Sequence, residues 1–245
     1  MREIYDAIAT RLRDETPFAV ATLVATRNSA PAPIGTSLIV DCDGAITGNI
    51  GAGCHESEIV DAAHTALRDA TDRTLEFDMS DEMLDGSACG ASLTVVAWRP
   101  RREFASVAAH ISSGSDSVTF LCGAYVVHVP GKRRLVIVGA TDLASYLTRA
   151  ARVADLHVTV VDPRPAFATR RRQPDADELI VGWPDDVLPE LLERADAVVA
   201  LAHDVKIDVP AIHCALASTV SYVGALGSRR SQLARREALR ALGYD

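Results

Sequence analysis

No apolar run in this 245-residue chain reaches the roughly 18 residues that a membrane-spanning helix requires. The first fifteen residues, MREIYDAIATRLRDE, are charged and helical in period and hold no signal-peptide core, so a soluble cytoplasmic protein is the expectation. Lysine is scarce: 23 of the 25 basic residues are arginine, and residues 1–98 contain no lysine. The five cysteines (Cys42, Cys54, Cys89, Cys122, Cys214) are odd in number and include no CxxC pair, which argues against a disulfide framework and a zinc knuckle. Internal repeats and low-complexity linkers are absent as well.

What is present is a chain with 48% apolar and 24% charged residues, enough to pack a core in one large domain or two small ones. Its net charge of −8 is uneven. Residues 1–98 carry −10, whereas 99–130 and 131–245 carry +1 each. An acidic first part repels a phosphate backbone, which disfavours nucleic acid as a partner. The balanced second part still offers arginines to a single small anion.

Two rhythms divide the chain. In residues 1–98, a helix over 2–14 (Ile4, Ile8 and Leu12 four apart) precedes the β-forming run FAVATLVAT, the loop RNSAPAPIG and the strand TSLIVDC. Asp43-Gly44 marks a hairpin into AITGNI; GAGC and the helix HESEIVDAAHTALRDA follow, then strands TLEFDM and ASLTVVAW around the acidic loop 80–90. This predicts a mixed α+β sheet domain. Residues 99–130 (a helix at FASVAAHI, strands SVTFLC and AYVVHV) read as a connector or as the edge of a second domain. From 131 to 245, continuous Val/Ile/Leu strands alternate with helices. That pattern belongs to a doubly wound parallel sheet covered on both faces.

Four groups of residues invite chemistry. A dinucleotide turn needs G-x-G-x-x-G/A after a strand and an acid at the end of the next strand. Here Gly139, Ala144 and Asp162 fill the first glycine, the small residue and the acid. Thr141 replaces the second glycine, and Asp142 adds negative charge or starts the helix. The turn is either a working nucleotide site or the topology with a degraded pyrophosphate cradle. The second group is Gly51-Ala52-Gly53-Cys54-His55-Glu56: free backbone N–H groups and a helix start favour an anion, and a cysteine there is nucleophilic or metal-binding unless simply buried. Cys89, in another loop, would join Cys54 if the 91–98 strand lay near the 46–50 strand. Cys42, Cys122 and Cys214 are expected in the core. The third group, His203-Asp204 with Lys206 and Asp208, sits at a strand end where such sheets bind ligands, or merely caps the next helix. The fourth is Gly224 to Arg230, where Ser228 caps a helix and Gly227, Ser228 and Arg229 either meet an anion or face solvent.

The segments NSAPAPIGTSLIVDCDGAITGNIGAGCHESEIVDAA, ACGASLTVV, LVIVGA, VTVVDPRPAFA, VVALAHDVKIDVPAI and YVGALGSRRS together resemble the XdhC/CoxI family of accessory factors for molybdenum hydroxylases such as xanthine dehydrogenase. The resemblance implies a Rossmann-like second domain. It also implies a carrier or chaperone that binds the molybdenum cofactor (molybdopterin) and assists its sulfuration or insertion, rather than a stand-alone oxidoreductase. Family positions fall on Gly51, Gly53, Cys54 and Glu56, on Cys89, on His203 and Asp204, and on Gly227 to Arg230, with Cys54 and Cys89 presenting sulfur to molybdenum or to a transferred sulfide. Asn28, Ala32, Ala52, Ala91 and Thr141 depart from the family pattern, and the chain stops at Asp245 where the family continues. Expected partners are a hydroxylase apoenzyme, a cofactor-sulfurating protein and a second copy of the chain, with no nucleic acid and no membrane. The alternative is an NAD(P)-dependent oxidoreductase using Gly139, Ala144 and Asp162, which lacks an evident hydride-transfer acid or base. A third reading is an interaction protein without a cofactor. The two sulfur-bearing loops are expected to share one cleft with the strand-end face of the second domain.

Overall fold

Ile4, Ile8 and Leu12 do fall on one side of a helix (α1, Arg2–Arg13), where Ile8 and Leu12 are buried with Tyr5 and Ala9 and Ile4 packs half-buried against the same core. The computed structural model describes residues 1–28, 32–51, 55–78 and 92–244. They divide into two units, Met1–Gly131 and Lys132–Asp245.

In the first unit, FAVATLVATR is the central strand β1 (Phe18–Arg27). Around it lie β2 (Ser37–Asp41), β3 (Ile46–Gly48), β4 (Arg73–Asp78) and β5 (Ser92–Trp98), with α2 (Glu56–Asp69) between β3 and β4. The sheet order is β3-β2-β1-β5-β4, and every pair is antiparallel. Side chains alternate across β1, so Val20 and Val24 pack into one core and Ala19, Ala21 and Leu23 into another. The second core is closed by α2 through Ile59, Ala63 and Ala66. The first is closed by α1, by α3 (Phe104–Ser113) and by the hairpin β6 (Val118–Cys122) and β7 (Tyr125–Val129). Residues 99–130, expected as a connector or a domain edge, thus build one face of the first unit. Arg2 secures that face: its Nη1 donates to Ile111 O at 2.8 Å and its Nη2 to Pro130 O at 2.7 Å. Buried polar groups on the same face are paired, with Trp98 Nε1 donating to Thr22 Oγ1 at 3.0 Å and Tyr5 Oη to Gly35 O at 2.7 Å.

The second unit alternates strand and helix except where β9 is followed directly by β10: β8 (Arg134–Val138), α4 (Asp142–Val153), β9 (His157–Asp162), β10 (Glu178–Val181), α5 (Pro184–Leu192), β11 (Ala197–Ala200), α6 (Val205–Leu216), β12 (Tyr222–Ala225) and α7 (Arg229–Ala241). All pairings are parallel in the order β10-β9-β8-β11-β12. Ala144 and Ala151 of α4 cover one face, and Leu188 and Leu192 of α5 with Ile207, Ala211 and Ala215 of α6 cover the other. This is the doubly wound architecture. The strand order reverses between β8 and β11, so the crevice where such sheets take ligands opens past Val138 and Ala200.

Among the described residues no helix is long and apolar enough to cross a membrane. Cys122 is buried, which pushes its thiol up to about 12, and Cys214 is half-buried, but Cys42 is exposed rather than in the core. It follows β2 at the mouth of the β2–β3 hairpin, whose turn exposes the residues around Asp43-Gly44.

Candidate functional site

At the end of β8, Gly139 takes φ +105° and donates its N–H to Val161 O at 2.7 Å. A Cβ here would lie 2.4 Å from Ala202 N and 2.6 Å from Ala202 Cα, so only glycine lets the ends of β8 and β11 meet. The turn that follows satisfies itself. Ala140 N donates to Asp162 Oδ2 at 2.7 Å, Thr141 N to Gly139 O at 2.9 Å, and Ala144 N to Thr141 Oγ1 at 3.3 Å. Thr141 is therefore the N-cap of α4, and Asp142 adds favourable negative charge to the first turn. Ala144 itself is fully buried against the sheet, which is what a small residue at that position permits.

Asp162, also fully buried, carries more than the Ala140 bond. Arg164 donates to it three times, from N at 2.9 Å and Nε at 2.8 Å to Oδ1, and from Nη2 at 2.7 Å to Oδ2. Burial alone would raise this carboxyl, but the bonds from Arg164 and Ala140 outweigh it and hold it below the ordinary aspartate value. The guanidiniums of Arg164 and Arg172 both lie over the ring of Phe167, 4.2 and 5.0 Å from its centroid. Arg172 reaches Asp142 Oδ1 at 3.0 Å and Gln173 Nε2 donates to Thr141 O at 2.9 Å, so the segment after β9 folds back on the Gly139 turn. Arg164 and Phe167 fall in VTVVDPRPAFA, a segment that carries the family resemblance, but no spacing in the sequence signals their contacts with Asp162 and with Arg172.

A second cluster forms past β11 and β12. His203, in a left-handed conformation (φ +57°), and Val205 line a cavity of about 190 Å³ together with Asp208 of α6 and with Arg230, Ser231 and Arg235 of α7. Asp204 is the N-cap of α6, accepting from Lys206 N at 3.0 Å. Ser228 is the N-cap of α7, accepting from Ser231 N at 3.2 Å. Arg229 is the exposed first residue of that helix. The cavity's inner wall is an ion pair that sequence reading missed: Arg235 Nη2 lies 3.2 Å from Asp208 Oδ2, and the side chains are 2% and 0% exposed. Asp208 Oδ1 accepts from Ala202 N at 3.1 Å, and Arg235 Nη2 also donates to Leu226 O at 2.5 Å. Burial raises the Asp208 carboxyl, although the charge of Arg235 pulls the other way. Gly227 makes the pair sterically feasible, since a Cβ there would sit 2.5 Å from Arg235 Nη2. The available clue was a single arginine inside the polar helix RRSQLARREALRAL, indistinguishable in pattern from its solvated neighbours.

In the first unit, Glu56 opens α2 and lines a groove of about 330 Å³ with Ile46, Gly48, Asn49, Ser57 and Val60. Gly51 has φ +77°, but its N–H is committed to Asn49 Oδ1. Gly53, Cys54 and Cys89 lie outside the described residues. Their expected meeting assumed that the strands beside them are near neighbours; instead β2 and β1 stand between β3 and β5. Three interstrand steps of about 4.8 Å separate those strands.

A family model described as the XdhC Rossmann domain matches residues 135–245, and one described as the XdhC and CoxI family matches residues 11–78. A Bacillus subtilis protein whose name describes it as a probable subunit of xanthine dehydrogenase is 24% identical over 89% of this chain and 81% of its own length. A solved structure described as a xanthine dehydrogenase from Bacillus halodurans superimposes with a TM-score of 0.69 at 21% identity, covering 95% of this chain and 84% of that one. At that identity it speaks for the fold. With both of its domains matched in order, the chain belongs to the XdhC and CoxI family.

Proposed function

We propose that this chain is an accessory factor of a xanthine dehydrogenase-type molybdenum hydroxylase, binding the molybdenum cofactor and assisting its sulfuration or its insertion into the apoenzyme. The observation that carries this reading is the match of both domains to XdhC and CoxI models, alongside a relative named for xanthine dehydrogenase. The cofactor supplies the redox chemistry of the hydroxylase it reaches; the residues here need only bind, orient and release it.

The donor chemistry of the second unit fits the phosphate end of such a group. Cationic Arg230 and Arg235 and the start of α7 converge on one cavity with His203 at its rim. Cys54 and Cys89 would offer thiolate sulfur to the metal or to a sulfide in transit, as soft ligands suit such centres. The acidic residues 1–98 would guide docking to a partner of opposite charge. A second copy of the chain and a cofactor-sulfurating protein complete the proposed partners.

The competing oxidoreductase reading fits less well. The N–H groups of Ala140, Thr141 and Ala144 are all committed within the protein, and the acid that would hold a ribose hydroxyl already receives four hydrogen bonds. A nicotinamide dinucleotide would have to displace those bonds before gaining its own. Protein purified from a host that makes the cofactor decides between them. Acid oxidation should release fluorescent pterin with stoichiometric molybdenum, and NADH titration should show no saturable binding. Pterin-free protein with tight NADH binding overturns the carrier reading. In co-expression, Cys54→Ser should leave the hydroxylase poorly activated; full activation would remove the sulfur from the mechanism.

A further inference from the structure

Two of the residues that line the cavity past β11 and β12 each carry a buried polar atom with no hydrogen-bond partner among the described residues, Arg235 Nη1 and Asp208 Oδ2. The charge beside Asp208 Oδ2 is that of Arg235 Nη2, 3.2 Å away. Leaving such groups dry costs about 1–3 kcal/mol each, and more when charged, so an unmatched guanidinium edge beside a cavity points to a missing acceptor. A second feature is the start of α7, whose Arg230 and Ser231 line the same cavity. The Ser228 side chain takes the N–H of Ser231 and its carbonyl takes that of Gln232. The N–H groups of Arg229 and Arg230 remain as the ones with no acceptor inside the helix, at the positive end of a thirteen-residue dipole.

We propose that this cavity is an oxyanion site for a phosphate group, free or terminal on an organic monoester, with Arg235 binding it at the wall and Arg230 and the start of α7 at the mouth. The guanidinium of Arg235 is fixed on one edge by Asp208 and Leu226 O, so its other edge meets the ligand already oriented. A singly protonated phosphate suits both orphans at once: an oxygen accepts from Arg235 Nη1 and its O–H donates to Asp208 Oδ2. Asp208 also keeps Arg235 from being an uncompensated buried charge before the ligand arrives. The site deepens the cofactor reading and rests on it only for the identity of the molecule that carries the phosphate.

Calorimetric titration of the full chain with inorganic phosphate, against chloride at matched ionic strength, tests the site directly. One saturable site per chain is expected. Arg230→Ala, at an exposed position, should weaken it about tenfold, the usual worth of one charge-assisted contact. Arg235→Lys, which keeps a charge opposite Asp208 but loses the fork, should weaken it at least as much. Absence of saturable binding overturns the site, and so does an unchanged affinity in Arg230→Ala, even where Arg235→Lys fails to fold. Glycerol phosphate displacing inorganic phosphate assigns the site to an organic monoester; failure to displace it assigns the site to free phosphate. Protein that binds phosphate through these arginines yet carries no pterin from a cofactor-making host keeps the site and removes the carrier reading.

Discussion

Two glycines and two ion pairs show how much the second unit asks of single residues. Gly139 must be glycine twice over, for its φ of +105° and for the backbone of Ala202 against it. Relief of that clash would require main-chain movement, so Gly139→Ala should lower unfolding free energy by more than ~2 kcal/mol in urea titration. At Gly227 the obstacle is the end of a side chain, so Gly227→Ala should cost less in stability while displacing Arg235 and weakening phosphate binding. Arg164→Ala should cost about 2 kcal/mol at neutral pH, because buried Asp162 would keep only its two backbone donors. The sign of its pH dependence follows from the lowered Asp162 carboxyl. The stabilisation is complete above the unfolded aspartate value of about 3.9 and fades as pH falls through the lower folded one, so the urea midpoints of variant and wild type should start to draw together below about pH 4 and meet only below the folded value.

At the scale of elements, both sheets were readable because their strands are written in β-branched and aliphatic runs and their helices in four-residue spacing. RLVIV, HVTVVD and AVVA became β8, β9 and β11, and the alternation with helices led to the parallel order observed. The caps were readable too, since Ser228 and Asp204 stand directly before helical periodicity. Replacing Ser228 by Ala should cost about 1 kcal/mol of stability, seen as a lower melting temperature without phosphate. What the pattern could not carry was pairing at a distance. Nothing local joins Asp208 to Arg235, twenty-seven residues on, or places α3 and the β6–β7 hairpin on the face of β1. The acid at the end of β9 was identified correctly as a position, but its engagement with Arg164, two residues later, depends on a turn that spacing does not reveal. The two cysteines most attractive to sequence reasoning lie outside the described residues, and the strand order puts more sheet between their flanking strands than was expected.

The whole molecule is two units, each with a core on both faces of its own sheet. Residues 132–245 expressed alone should therefore melt cooperatively and keep the α/β circular-dichroism signature; a non-cooperative melt would show that the first unit is needed to complete the second. The first unit's acidity and the second's balanced charge mean that association with a basic partner protein should weaken steeply with salt if it runs through residues 1–98, and little if it runs through the parallel-sheet unit.

The link from Arg235 through Asp208 and Ala202 to Gly139 has a bearing on synthesis. Helix α7 leaves the ribosome after every other described element, yet its arginine neutralises a carboxylate that supports the first turn of the same unit. A nascent chain halted before residue 229 would have the unit's five strands ready to pair and an unbalanced charge past the end of β11. Protease resistance of this half should consequently appear late, only once the last helix has emerged from the exit tunnel.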